Sequence, residues 1–313
     1  MTMVRIAKKQ ITRVGESVRA LCLLMITVLF GLMLSSECVD YVKEGMRLAV
    51  GCVIPSSFPF MIITDWYVAY GRPENLRTAG NVFSGVFGFS PMALGAFICG
   101  NVGGFPIGAK MCAEAYESGE LSKAEAERLM PLSNNPSCAF VIGGVGIGMW
   151  EDARIGFLLL ASVMSSTLTC SVILRQKYAK CDIIRDKTRQ SYSFVNSVKS
   201  SGMSCVGIIS FISIFSVAAG IIKKRVKNAH LSVFIYLFLE VTNAVNTASE
   251  ISAFPPTLRL AICGFALGFG GICVGMQSAL FASRAGLGMR KYYLIKLLEG
   301  VLSASYATLF FNL

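Results

Sequence analysis

Apolar and polar positions along this chain fall into blocks rather than alternating. Apolar runs, several of them near the ~20 residues that cross a bilayer, are separated by short polar connections. Strand-type alternation of the kind a membrane barrel needs is missing from the pattern, which predicts an all-α polytopic membrane protein. The first run, 18–36, predicts a transmembrane helix behind a basic leader of Arg5, Lys8, Lys9 and Arg13. That leader is placed in the cytoplasm by the positive-inside rule. The run is too long for a signal-peptide core and lacks a small-x-small exit. A polar turn with Glu37, Asp40, Lys43 and Glu44 follows. A second span over 47–70 is then kinked or split by Pro55 and Pro59. After a polar stretch at 71–78, a weakly apolar segment runs to Ser90 and suits the interface better than a crossing.

Section 91–118 holds two short apolar arms around Gly103-Gly104-Phe105-Pro106. Neither arm spans a bilayer alone, so a re-entrant helical hairpin is expected. Its freed backbone groups must be buried in protein or face a water-filled cavity. Residues 120–132 predict a surface or interfacial amphipathic helix. Ser122 is its N-cap, Glu125 completes a capping box and Pro131 ends it. Ser133-Asn134-Asn135-Pro136 opens the next membrane segment, which runs through the glycines of 143–148. After Glu151 and Asp152 a clear span covers 153–174.

The connection 175–200, rich in Lys and Arg, is placed in the cytoplasm and divides the chain in two. The second half holds spans at 202–222 and 231–249, a broken segment at 258–283 after Pro255-Pro256, and a last span at 292–311. A further basic run at 223–227 follows the first of these. It cannot share the cytoplasmic side with 175–200 if that span crosses once.

The glycines repeat at a fixed offset. Gly103, Gly104, Gly108 and Gly119 map onto Gly270, Gly271, Gly275 and Gly286 by adding 167 (270 − 103). Paired broken segments in the two halves of a hydrophobic chain point to a transporter substrate site. Two inverted repeats, each with a re-entrant hairpin, are therefore expected. The organisation is 1–45 (basic N-terminus and first helix), 46–174 (first repeat), 175–200 (basic linker) and 201–313 (second repeat).

Composition agrees with a membrane protein. Mean hydropathy is +0.62 and only 15% of residues are charged. The net charge of +11 sits mostly in connections between apolar runs. There it answers to topology and anionic headgroups rather than to nucleic acid. Eleven cysteines are scattered without a Cys-x-x-Cys pair and read as small hydrophobes in a reducing setting. The single histidine, His230, lies in a loop beside Lys227 and Asn228. No nucleophile–base pair, metal cluster or phosphate loop stands out, so neither an enzyme nor a cofactor is expected. Cys99, Cys112, Cys273 and Met276 are the few soft ligands near the hairpins, at no recognisable metal spacing.

Ionisable groups at membrane depth are functional candidates by default. Glu240 sits mid-span, with Asn243 and Asn246 expected on its helical face. It suits a cation or proton, or hydrogen bonds from a substrate. Lys110, after Gly108 on the exit arm of the first hairpin, would join exposed amides and helix N-termini in an anion-binding corner. Asn134 and Asn135 offer donors and acceptors beside a proline break. Asp65 is near the end of its span. Glu299 is one turn from Lys296, a spacing that allows pairing. The candidate substrate-binding set is Gly103, Gly104, Phe105, Pro106, Gly108, Lys110, Asn134, Asn135, Glu240, Asn243, Gly270, Gly271 and Gln277. The expected partners are a small anionic solute, the bilayer and a coupling ion (Na+ or H+). An oligomer is left open.

Four stretches carry a family resemblance. They are Gly103 to Lys110, Glu125-Ala126-Glu127-Arg128-Leu129, Ser133-Asn134-Asn135-Pro136 with 143–149, and Leu239-Glu240-Val241-Thr242-Asn243. They resemble the YlbJ-type sporulation integral membrane proteins of the nucleoside-recognition or gate-domain group, which looks distantly like the concentrative nucleoside transporters. In the family the first stretch reads close to Ser-Gly-Tyr-Pro-Val-Gly-Ala-Lys. Gly103 and Phe105 here remove two hydroxyls. The resemblance implies a multi-pass protein in the mother-cell-derived membrane around the forespore, helping dipicolinate cross it. Lys110 and helix N-termini would suit the carboxylates of that planar dianion, and Asn134, Asn135 and Asn243 its orientation. A nucleoside or nucleobase carrier, and a structural or assembly protein of the spore envelope, remain as alternatives.

Overall fold

The computed structural model describes residues 36–70, 77–176 and 193–312. The expected first span, nearly all of the polar stretch 71–78 and most of the basic linker lie outside the described residues. Within them every regular element is helical.

The expected polar turn at Glu37–Glu44 is helix instead: α1, Ser36–Leu48. Its exposed Lys43–Asp40 and Arg47–Glu44 pairs, 3.4 and 2.7 Å apart and one turn along the same helix, favour that outcome. A wider π-type turn, Ala49–Val53, leads into α2, Ile54–Tyr70, which contains Pro59. The weakly apolar segment is α3, Arg77–Phe87. At 11 residues it is about 16 Å long, half the hydrocarbon thickness.

The first glycine motif forms a hairpin. α4, Ala93–Gly103, and α5, Ile107–Glu117, pack on each other across the Gly104–Pro106 connection. Gly104 adopts φ 84°, a conformation that favours glycine. The arms meet backbone to backbone: a Cβ on Gly100 would stand 2.6 Å from the Gly108 Cα. A Cβ on Gly108 would strike the Ser133 carbonyl.

α6, Lys123–Leu132, is not the surface helix the pattern predicts. Glu125, Ala126, Arg128, Leu129 and Met130 are buried. Its Glu125 and Arg128 side chains are taken up internally. Arg128 donates to the Gly88 and Leu174 carbonyls and lies 4.1 Å over the Phe89 ring. The capping box is half formed. Ser122 Oγ accepts from the Glu125 N–H, whereas the Glu125 carboxylate accepts from the Ser90 N–H.

An extended link leads to α7, Ala139–Met149, a glycine-rich helix wound in the wider π form. Asp152 then caps α8, Ala153–Ile173, accepting from the Arg154 N–H at 2.8 Å. The hydrogen-bonded Arg154 guanidinium holds the Asp152 carboxyl below the usual carboxylate range.

α9, Phe194–Arg225, has 32 residues, about 48 Å, so it outreaches the hydrocarbon at its basic end. The expected span 231–249 is divided. α10, Ala229–Leu239, stops at Glu240, whose φ of −155° and ψ of 125° are extended, and α11, Val241–Glu250, starts after it. Glu240, Asn243 and Asn246 therefore do not share one helical stripe.

The second glycine motif also breaks its helix, between α12, Pro256–Phe269, and α13, Gly271–Arg284. It is not a hairpin. α12 lies along the last helix, α14, Arg290–Phe311, while α13 packs on α5, α9 and α10, and the two arms barely touch each other. One residue, Gly270, separates these arms. Antiparallel helices need connections of about 2–5 residues, and only the first motif provides one.

α8, α9, the α12–α13 pair and α14 are long and apolar enough to cross a bilayer. Exposed Phe157, Ile173, Met203, Val206, Leu294 and Val301 give them apolar outer faces. With the mean hydropathy this makes the chain an integral membrane protein.

Candidate functional site

The helix breaks converge. A Cβ on Gly104 would lie 2.7 Å from the Ser137 nitrogen, in the link between α6 and α7. The Phe105 ring sits 3.5 Å from the corresponding point on Gly270. At Gly271 that point is 3.0 Å from the Leu239 carbonyl and 3.1 Å from the Glu240 nitrogen. Four interruptions thus meet in one place, three of them within long apolar segments.

A cavity opens beside them, with about 740 Å³ of empty space including its mouth. Gly103 and Phe105 of the hairpin, Ser137, Phe140, Glu240, Thr242, Val274 and Gln277 form one wall. Leu48, Ser57, Ile212 and Ser216, from α1, α2 and α9, form the other.

Glu240 caps α11. Its carboxylate accepts the Thr242 N–H at 3.0 Å, the Asn243 N–H at 2.8 Å and the Asn243 side-chain amide at 2.8 Å. Free N–H groups at a helix start attract a carboxylate, which explains why the helix stops at a residue that ordinarily favours helix. Asn243 holds Glu240 and is not among the lining residues.

Lys110 does not form the anion-binding corner expected of it. It is buried between two carboxylates, Asp65 of α2 and Glu114 one turn along α5, the latter at 3.0 Å. It also donates to the Met61 carbonyl, and Ser197 of α9 donates to Asp65. An ammonium held by two acids has no charge left for a solute, and Lys110 does not line the cavity.

Asn134 and Asn135 lie behind the cavity in a fully buried polar network. Lys296 Nζ donates to Asn135 Oδ1 at 2.8 Å and to the Asn134 carbonyl at 3.2 Å, and pairs with Glu299 at 2.8 Å. Thr167 donates to Glu299 at 2.8 Å. Asn135 donates to Asn101 at 2.8 Å and Thr167 at 2.9 Å. Asn134 donates to Ser278 and Tyr292, both at 2.8 Å. α13 thereby shows Gln277 to the cavity and Ser278 to the network, and the α6–α7 link does the same with Ser137 and Asn134.

Of the residues singled out from the sequence, Gly103, Phe105, Glu240 and Gln277 line the cavity. Gly104, Pro106, Gly270 and Gly271 make the breaks, and Gly108 seats the hairpin on Ser133. Sequence reasoning missed Ser137, Thr242 and Phe140. It read Lys296 and Glu299 as a pair without their links to Asn135 and Thr167.

The chain is 23% identical to the sporulation integral membrane protein YlbJ of Bacillus subtilis (strain 168), a match that covers 85% of this chain and 76% of that protein. The match agrees with the YlbJ-type resemblance read from the motifs. No family model matches the chain. No solved structure matches it either.

Proposed function

We propose that the protein is a membrane transporter acting in sporulation, with dipicolinate as its solute and the mother-cell-derived forespore membrane as its place. The sporulation role comes from the YlbJ likeness. Transport is supported by one observation above all: interrupted helices meet around a cavity inside an apolar bundle. Backbone irregularity at such depth is tolerated where it lines a cavity. Phe105 and Phe140 suit a flat ring, and Ser137, Thr242 and Gln277 offer hydrogen bonds at its edge.

A nucleoside or nucleobase is the second reading. It is favoured by the uncharged hydrogen-bonding side chains of the wall, which match a neutral heterocycle as well as a pyridine ring. Uptake by the purified protein in liposomes, with dipicolinate and uridine compared, tests both. Saturable dipicolinate uptake that uridine does not inhibit supports the first reading, and the reverse pattern supports the second. A spore defect that added dipicolinate fails to cure would instead favour a structural role.

A further inference from the structure

The charge of the cavity follows from its parts. Each break supplies one helix C-terminus and one N-terminus. α4, α6, α10 and α12 end there, while α5, α7, α11 and α13 begin there. The ends carry about −0.5 and +0.5 of a charge each, so four of each sign cancel. Among the described lining residues one side chain is ionisable, the Glu240 carboxylate.

Neither buried lysine offsets it. Lys110 is shared by Asp65 and Glu114, and Lys296 is taken by Glu299. With Glu240 its one ionisable group and both lysines occupied elsewhere, the wall is negative, which is the wrong sign for a bare dicarboxylate.

We infer that the cavity admits a carboxylate solute only together with a small inorganic cation, Glu240 Oε1 forming part of the cation's coordination. Carboxylate oxygens are hard ligands that suit sodium, potassium or calcium. Glu240 Oε1 accepts only the Thr242 N–H and keeps a lone pair for the cation, whereas Oε2 is filled by the two Asn243 donors. An uncharged solute of similar size has no such requirement. The inference rests on the transport reading and names the form in which that site takes its solute.

The test is uptake by the purified protein in liposomes at one neutral pH. The outside cation is sodium, potassium, calcium or the bulky N-methylglucamine, and the solute is dipicolinate or uridine. Dipicolinate uptake is expected to fall about tenfold or more when only the bulky cation is present, because like charges a few ångströms apart in a protein interior differ by at least that factor. Uridine uptake is expected to stay level. Glu240→Gln, which keeps one cap acceptor, is expected to abolish the small-cation requirement. Gln277→Glu, which adds a second carboxylate, is expected to deepen it.

Equal dipicolinate uptake in all four media overturns the inference and leaves transport standing. So does an unchanged cation dependence in folded Glu240→Gln. Failure of the folded wild-type protein to take up either solute defeats the transport reading, and the inference with it.

Discussion

Lys296 Nζ lies 2.8 Å from Glu299 Oε2 one turn along α14, and neither side chain reaches the surface. An ion pair wholly out of water is costly unless its remaining valences are filled. Asn135, the Asn134 carbonyl and Thr167 fill most of them. The pair is thus the junction through which α14 holds the α6–α7 link and α8 in register beside the cavity.

Removing one partner strands the other. Lys296→Met is expected to lower stability by about 3–5 kcal/mol, seen as a lower melting temperature in detergent. The double variant Lys296→Met, Glu299→Leu should recover much of the loss. A single variant as stable as the wild type would show that the pair does not hold the core together.

Lys110 follows the same logic with three partners. Lys110→Ala is expected to reduce folded yield by leaving Asp65 and Glu114 facing each other. Adding Asp65→Asn and Glu114→Gln should restore it. The magnitude is smaller, about 2 kcal/mol, because Glu114 keeps contact with solvent. If Lys110→Ala folds normally yet loses dipicolinate binding, Lys110 serves the solute directly.

Gly108 and Gly143 make a contrast. A Cβ on Gly108 strikes the Ser133 carbonyl, whereas one on Gly143 meets nothing within 4 Å. Gly108→Ala should cost about 1–3 kcal/mol through overpacking, and Gly143→Ala should be close to neutral. Thermal unfolding of the two variants side by side checks this. Equal stability would mean that the hairpin does not seat on the α6–α7 link.

The sequence showed the breaks that glycine and proline cause and missed the one caused by a carboxylate. Gly104 and Pro106 announce theirs locally. Leu239-Glu240-Val241-Thr242 contains no breaker, and the helix stops there because Glu240 caps the helix that follows. Gly270 signalled an interruption, but the path of the chain beyond it depended on connection length and on packing against α14. The Lys296–Glu299 spacing was readable. The partners of Lys110 and Asn135 were not, since Asp65, Thr167 and Lys296 meet them only through tertiary packing.

Blocking the cavity tests the central claim most directly. Thr242→Trp places a large side chain in the wall without touching either buried lysine. The account predicts saturable dipicolinate uptake by wild-type protein in liposomes, and near-complete loss of it in a Thr242→Trp variant of normal folded yield. Wild-type uptake rates in that variant would contradict a solute path through the place where the broken helices meet.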